Sequence, residues 1–141
     1  LKRLEKKGVL EMSLAFDTSI LIELERKNPN VIENINKLSH SYPTPPQLPF
    51  ISYYEFIRGL KIKKSKNYDK KFAFVNKFNV LKTSKRTAEI LADLRIKYES
   101  VGISLSLADL LIAAQSIENQ LILISRDKDF EKIEELQKLI L

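Results

Sequence analysis

The sequence predicts an α/β domain, a three-layer α/β/α arrangement with a central, mostly parallel sheet of about four to five strands and helices on both faces. Three observations carry this. Strand-length runs such as "MSLAF", "NVLKTS" and "LILIS" recur along the chain. Longer segments between them place apolar residues at helical spacing. The two kinds alternate, as expected for parallel strands joined by helical crossovers.

Taken in order, Met12–Phe16 predicts the first strand, ended by Asp17. Thr18 or Ser19 is then placed to cap a helix through "ILIELERKN", which stops before Asn28-Pro29. Asn30–Ser41 predicts a second helix, with Val31, Ile32, Ile35 and Leu38 on one face. "YPTPPQLP" holds four prolines and reads as an irregular linker inside the domain. Phe50–Ser52 predicts the second strand, and a helix is expected to start near Ser52 or Tyr53. The stretch Arg58–Lys71 is strongly basic, "FAFVNKF" continues helically, and Asn79–Ser84 predicts another short strand. "KRTAEILADLRIKYESVG" is an amphipathic helix ended by Gly102. Ser106–Gln120 is a second, with Ser106 as its N-cap. Leu121–Ser125 is an apolar strand, "RDKDF" a turn, and "EKIEELQKLIL" a final helix, or a helix and a terminal strand. Residues 12–141 thus read as a single domain. Residues 1–11 read as an N-terminal extension, either disordered or upstream of the natural start.

Composition narrows the chemistry. With 44% hydrophobic and 30% charged residues in 141, the chain is of ordinary globular type. Absence of cysteine excludes disulfides, zinc ribbons and thiol nucleophiles, and the lone His40 excludes paired imidazoles. No apolar run reaches bilayer length and no secretory pattern is visible, so a cytoplasmic protein without a membrane partner is expected. The net charge of +6 leans towards polyanionic partners.

Four acids occupy comparable positions: Asp17 after the first strand, Glu55 after the second, Asp109 in the first turn of a helix, and Asp127, with Asp129 nearby, after the last. Singly, each is explained by helix capping, and "SYYE" and "SLAD" match the capping-box pattern. Jointly they mean more, because the carboxyl ends of parallel strands share one edge, where ligands bind. Carboxylates converging there repel one another unless a cation offsets them. An all-oxygen cluster suits Mg²⁺ or Mn²⁺, which can activate water against a phosphodiester.

"FDTSILIEL", "ISYYEFIRGL", "SLADLLIAAQS" and "LILISRDKDFEKI", in this order and spacing, resemble the PIN-domain family, and more narrowly its VapC-type ribonuclease toxins of toxin–antitoxin pairs. The resemblance runs from about Met12 to the C-terminus. It implies a PIN-like fold with a catalytic quartet on Asp17, Glu55, Asp109 and Asp127, Asp129 remaining an alternative for the last. Metal would be held by Asp17, Asp109, Asp127 and Asp129, with Glu55 completing the shell or orienting the attacking water. Ser125 stands where relatives often carry Thr, Thr18 or Ser19 matches the polar residue after the first acid, and Arg58-Gly59 matches the usual Arg-Gly. The family further implies Mg²⁺- or Mn²⁺-dependent endonucleolytic cleavage of RNA, a homodimer, and inhibition by a cognate antitoxin. Ser19, Arg58, Ser125, Lys61 and Lys64 are the expected substrate contacts, with Tyr53, Tyr54, Tyr68 and Phe72 near enough to stack an unpaired base. The proline-rich approach is longer than the family pattern, and residues 1–11 have no counterpart in it. The alternative reading is a non-catalytic or RNA-processing module of the same fold that binds RNA or protein. An aspartyl-nucleophile phosphohydrolase is disfavoured, because it needs an acid where Ser19 stands.

Overall fold

Leu14–Phe16 form β1, the centre of the sheet, and all three residues are buried. Their alternation sends Leu14 and Phe16 into one core and Ala15 into the other, so helices must cover both faces. The computed structural model describes residues 12–64 and 66–141, and the expected extension at residues 1–11 lies outside them.

After β1 come α1 (Thr18–Glu25), α2 (Pro29–Ser41), β2 (Gln47–Leu48), α3 (Phe50–Lys63), α4 (Tyr68–Asn76) and β3 (Asn79–Val80). Then follow α5 (Lys85–Ser100), α6 (Leu107–Glu118), β4 (Ile122–Ser125), a 3-10 turn (Lys128–Lys132) and β5 (Lys138–Ile140). The strand order is β3-β2-β1-β4-β5, and every pairing is parallel. The three-layer α/β/α expectation therefore holds, with five strands. Residues of α1, α2, α3 and α4 pack on the Leu14–Phe16–Ile124 side, and those of α5 and α6 on the Ala15–Leu123 side. Among the described residues, no helix is long and apolar enough to cross a membrane.

The topology dictates where a site can form. From β1 the chain builds outward through β2 and β3, then returns to place β4 on the other side of β1. The switch lies between β1 and β4, and at such a switch the flanking connections diverge and leave a crevice at the carboxyl edge. Leu14, Ala15 and Phe16 stand opposite Ile122, Leu123 and Ile124, so both strands end level.

Three local expectations are corrected. The second strand is Gln47–Leu48, inside the proline-rich segment, while Phe50–Ser52 opens α3. Pro46 and Pro49 sit just outside a two-residue ladder, where their missing N–H groups break nothing. Leu48 still accepts from Leu81 N–H at 2.8 Å. "SYYE" is accordingly not a capping box: Pro49 is the N-cap, and Ser52 is buried with its hydroxyl unpaired among the described residues. At the C-terminus, the segment after the 3-10 turn forms no final helix. Ile133 and Leu136 bury themselves in the core and Lys138–Ile140 pair with β4.

Gln115 shows how α3 is held. It is fully buried in an otherwise apolar stretch of α6. Its Oε1 accepts from Phe50 N–H at 2.9 Å, a donor that Pro49 has no side chain to cap, and its Nε2 donates to Leu81 O at 3.3 Å. Replacing Gln115 with Met keeps the volume but strands both backbone groups. Denaturant unfolding should show a loss of about 2–4 kcal/mol, one desolvated group for each lost bond; a loss below ~0.5 kcal/mol would mean the tie is unimportant.

Candidate active site

Asp17 directly follows β1 and is the N-cap of α1, its Oδ1 accepting from Ile20 N–H at 3.2 Å. The cap expected from Thr18 or Ser19 thus belongs to the acid itself. Both hydroxyls have other work. Ser19 donates to Asp17 Oδ1 and accepts from Arg126 N–H at 3.0 Å. Ser125, the last residue of β4, donates to Asp17 Oδ2 and accepts from Asp127 N–H at 2.9 Å. The two serines therefore staple the ends of β1 and β4 through one carboxylate. Ser125 has no exposed surface to offer the substrate contact expected of it, and its hydroxyl is spent on Asp17 and the Asp127 N–H.

Thr18 donates to Glu55 Oε1 at 2.9 Å and approaches Ser52 O at 3.4 Å. Glu55 lies in the second turn of α3 rather than at a strand end, exposed and turned towards α1 by this bond. Asp109 enters from the first turn of α6, its N–H held by the Ser106 hydroxyl at 3.1 Å. Asp127 caps the 3-10 turn by accepting from Asp129 N–H at 2.9 Å.

The structure brings Asp109, Asp127 and Asp129 closest together, with one carboxylate oxygen from each within 4.8 Å of the others. Asp17 and Glu55 stand outside this trio but are coupled to it electrostatically. Burial pushes the Asp17 carboxyl above the usual carboxylate range, against hydrogen bonds from Ser125, Ser19 and Ile20 N–H that lower it; the charge of Asp127 adds to the rise. Asp109 is also raised, first by burial and then by Asp127, with the Ser106 hydrogen bond opposing and Asp129 and Glu55 adding. Five acids thus share one field, which burial and mutual repulsion make unfavourable while they are all ionised. Among the described residues, Asp129 is the one of the five with an ion-pair partner, Lys132 at 3.1 Å. The donors are all carboxylate oxygens, which fits a hard divalent cation and no softer metal.

The basic residues divide differently from expectation. Arg58 and Lys61 line an apolar groove of about 510 Å³ with Phe50, Tyr53, Tyr54, Ile57 and Ile62, away from Glu55 on the surface of α3. Lys64 is the C-cap of α3, in a left-handed backbone conformation. Lys63 and Lys71, by contrast, line a cleft that includes Glu55. Gln115 is the supporting residue that sequence reasoning missed, and Thr18, read there as a candidate cap, instead bonds Glu55. A polar residue inside the apolar run "LLIAAQSI" was the available signal for Gln115.

Comparison with known proteins places this geometry. The fold resembles VapBC2 from Rickettsia felis bound to a promoter DNA fragment, with a TM-score of 0.76, 19% identity, and 92% of this chain and 99% of that one covered. It resembles VapBC-1 from nontypeable Haemophilus influenzae, with a TM-score of 0.75 and 25% identity, covering 92% of this chain and 98% of that one. A toxin–antitoxin complex from Klebsiella pneumoniae is similar at a TM-score of 0.69 and 26% identity, covering 88% and 95%. No curated protein is significantly similar by sequence. The PIN domain family model matches residues 14–136, and with nearly the whole chain so covered, the protein belongs to the PIN domain family.

Proposed function

We propose that this protein is a divalent-metal-dependent endoribonuclease and the toxin of a toxin–antitoxin pair. The observation that carries the reading is the convergence of Asp109, Asp127 and Asp129 within 4.8 Å, coupled to buried Asp17, at the strand switch of a PIN-family chain. Asp17, Asp109, Asp127 and Asp129 are the residues that would hold Mg²⁺ or Mn²⁺. The bound cation would offset their charge and polarise a phosphodiester oxygen. Glu55, held by the Thr18 hydroxyl, would orient a water and accept its proton. Ser19 and Ser125 keep Asp17 and the Asp127 loop in register, so little reorganisation is left for the reaction itself. The structural neighbours are two-component complexes, which supports a cognate antitoxin as partner. A homodimer and a cytoplasmic location belong to the same proposal.

The test is cleavage of single-stranded RNA with Mg²⁺ or Mn²⁺. Chelation should abolish cutting and readdition restore it. Independently of activity, Mn²⁺ at 100 times its dissociation constant should stabilise the fold by about 2.7 kcal/mol. Cleavage indifferent to chelator, or no cleavage together with no metal-induced stabilisation, would sink the reading.

A further inference from the structure

A narrow cleft of about 80 Å³ opens beside Glu55, between α1 and the α3–α4 hairpin. Ile22, Phe56 and Leu60 line it together with Arg26, Lys63 and Lys71, and Glu25 is its second acid. Lys71 reaches Glu25 only at 3.7 Å, a long contact that offsets that acid while leaving the ammonium's donors open to a second anion. Among the described residues, Lys63 has no ion-pair partner and Arg26 ion-pairs only with Glu23, at 4.0 Å with its side chain 62% exposed. Cationic capacity is therefore left over next to an acid cluster that would by itself repel RNA.

Gly59 is the second observation. It lies inside α3, which continues to Lys63, so it does not end the helix. Nor does it allow close packing, since a Cβ added there meets nothing within 4 Å. Glycine in a helix interior costs about 1 kcal/mol relative to alanine. Neither of the usual structural reasons for a glycine applies at this position. What its missing side chain does leave is an open cleft, of which it forms part of the lining.

We propose that this cleft is the phosphate track of the RNA, taking the backbone one or two nucleotides from the scissile bond. Resting on the nuclease reading, this moves the substrate contacts from Lys61 and Lys64 to Lys63, Lys71 and Arg26. The cleft is about 80 Å³ against about 510 Å³ for the apolar groove across α3, which suits a phosphate rather than a stacked base. Contacts of this kind position the strand without reading its sequence.

Two variants of the full chain test it, Lys63→Ala/Lys71→Ala and Gly59→Leu. Binding is measured on an Asp109→Asn background with labelled oligo(U) and oligo(A), and cleavage on the otherwise native chain. The lysine pair should weaken both oligonucleotides alike by about 10-fold at low salt and reduce the log–log salt slope by about 1.4, roughly 0.7 per lost phosphate contact. KM should rise with kcat within about two-fold, as for lost uniform binding. Gly59→Leu occupies the cleft and should raise KM; its Cβ meets nothing within 4 Å and leucine favours the helix, so Tm should not fall. Lys37→Ala, which removes one charge from α2 away from the cleft, should alter neither quantity. Wild-type affinity and slope in the lysine pair, or wild-type KM in Gly59→Leu, overturn the track, as does a loss confined to one oligonucleotide. If the wild type itself neither binds nor cuts RNA, the nuclease reading falls and the track with it.

Discussion

Replacing Asp109 with Asn should lower RNA cleavage by at least about 100-fold, the scale on which loss of one preorganised electrostatic group acts, while leaving the metal-free protein as stable as before or more so. The two effects share a cause. Burial, and then the charge of Asp127, push the Asp109 carboxyl up, with Asp129 and Glu55 adding. The folded chain therefore holds that proton more tightly than the unfolded chain does. Stability from the group is present below the unfolded pKa and is lost as pH rises through the folded one. At neutral pH the ionised carboxylate is thus a penalty. Asn removes it, for a gain of about 1 kcal/mol after discounting solvent screening of a half-exposed group. Capping is retained, because Ser106 accepts from the backbone N–H of residue 109, and Asn keeps an Oδ1 to accept the Ser106 hydroxyl as the carboxylate does. Thermal unfolding with and without Mn²⁺ separates the roles: the variant should match or exceed the wild type without metal and lose most of the metal-induced gain. Wild-type cleavage, or a fall of several degrees without metal, would make Asp109 a structural residue.

The sequence was most legible where one residue type does one job. β1, β4, α5 and α6 follow from apolar runs and helical spacing, and the Ser106 cap and the Gly102 stop at φ 74° are local chemistry that local reading finds. The proline-rich segment is misleading because the positions of its prolines, not their number, decide the structure. Pro46 and Pro49 bracket β2, and Pro49 opens α3, shifting both elements upstream. That shift carried Glu55 from a strand end into a helix, where Thr18, 37 residues away, aims it. The acids' types and order were readable, but their grouping was not. The proximity of Asp109, Asp127 and Asp129 depends on α6 and the β4 turn meeting over the strand switch. The lysines are the same lesson on a helix: Lys61 and Lys63 are two apart and so face different sides of α3. Composition shows that the stretch is basic, and only the packing of α1 against α3 says which lysine lies beside Glu55.

Ser125→Ala should cost about 2–3 kcal/mol, more than any exposed change near the site. Ser125 is buried, and its hydroxyl is both a donor to Asp17 and the acceptor for Asp127 N–H. Alanine leaves Asp17, 5% exposed, with one donor fewer, and leaves the Asp127 amide unpaired. The pH dependence tells these apart. The Asp17 carboxyl already stands above its ordinary value because of burial, and the Ser125 hydrogen bond is the largest influence opposing that rise. Removing it lifts the folded pKa further, so the variant's deficit should be larger at pH 7.5, where Asp17 must ionise, than near pH 4.5, where more of it is protonated in the folded chain. The part that persists in acid belongs to the Asp127 amide. Ser125→Thr restores the hydroxyl and should return the wild-type pH dependence, even if the added methyl group costs about 1 kcal/mol of packing. A deficit independent of pH, or one that Thr does not repair, would show that the hydroxyl does not govern Asp17. If the pattern holds, a single buried hydroxyl couples the ionisation of the α1 cap to the placement of the Asp127 loop. Cleavage by Ser125→Ala should then fall as well, through acids that are present but no longer held in register.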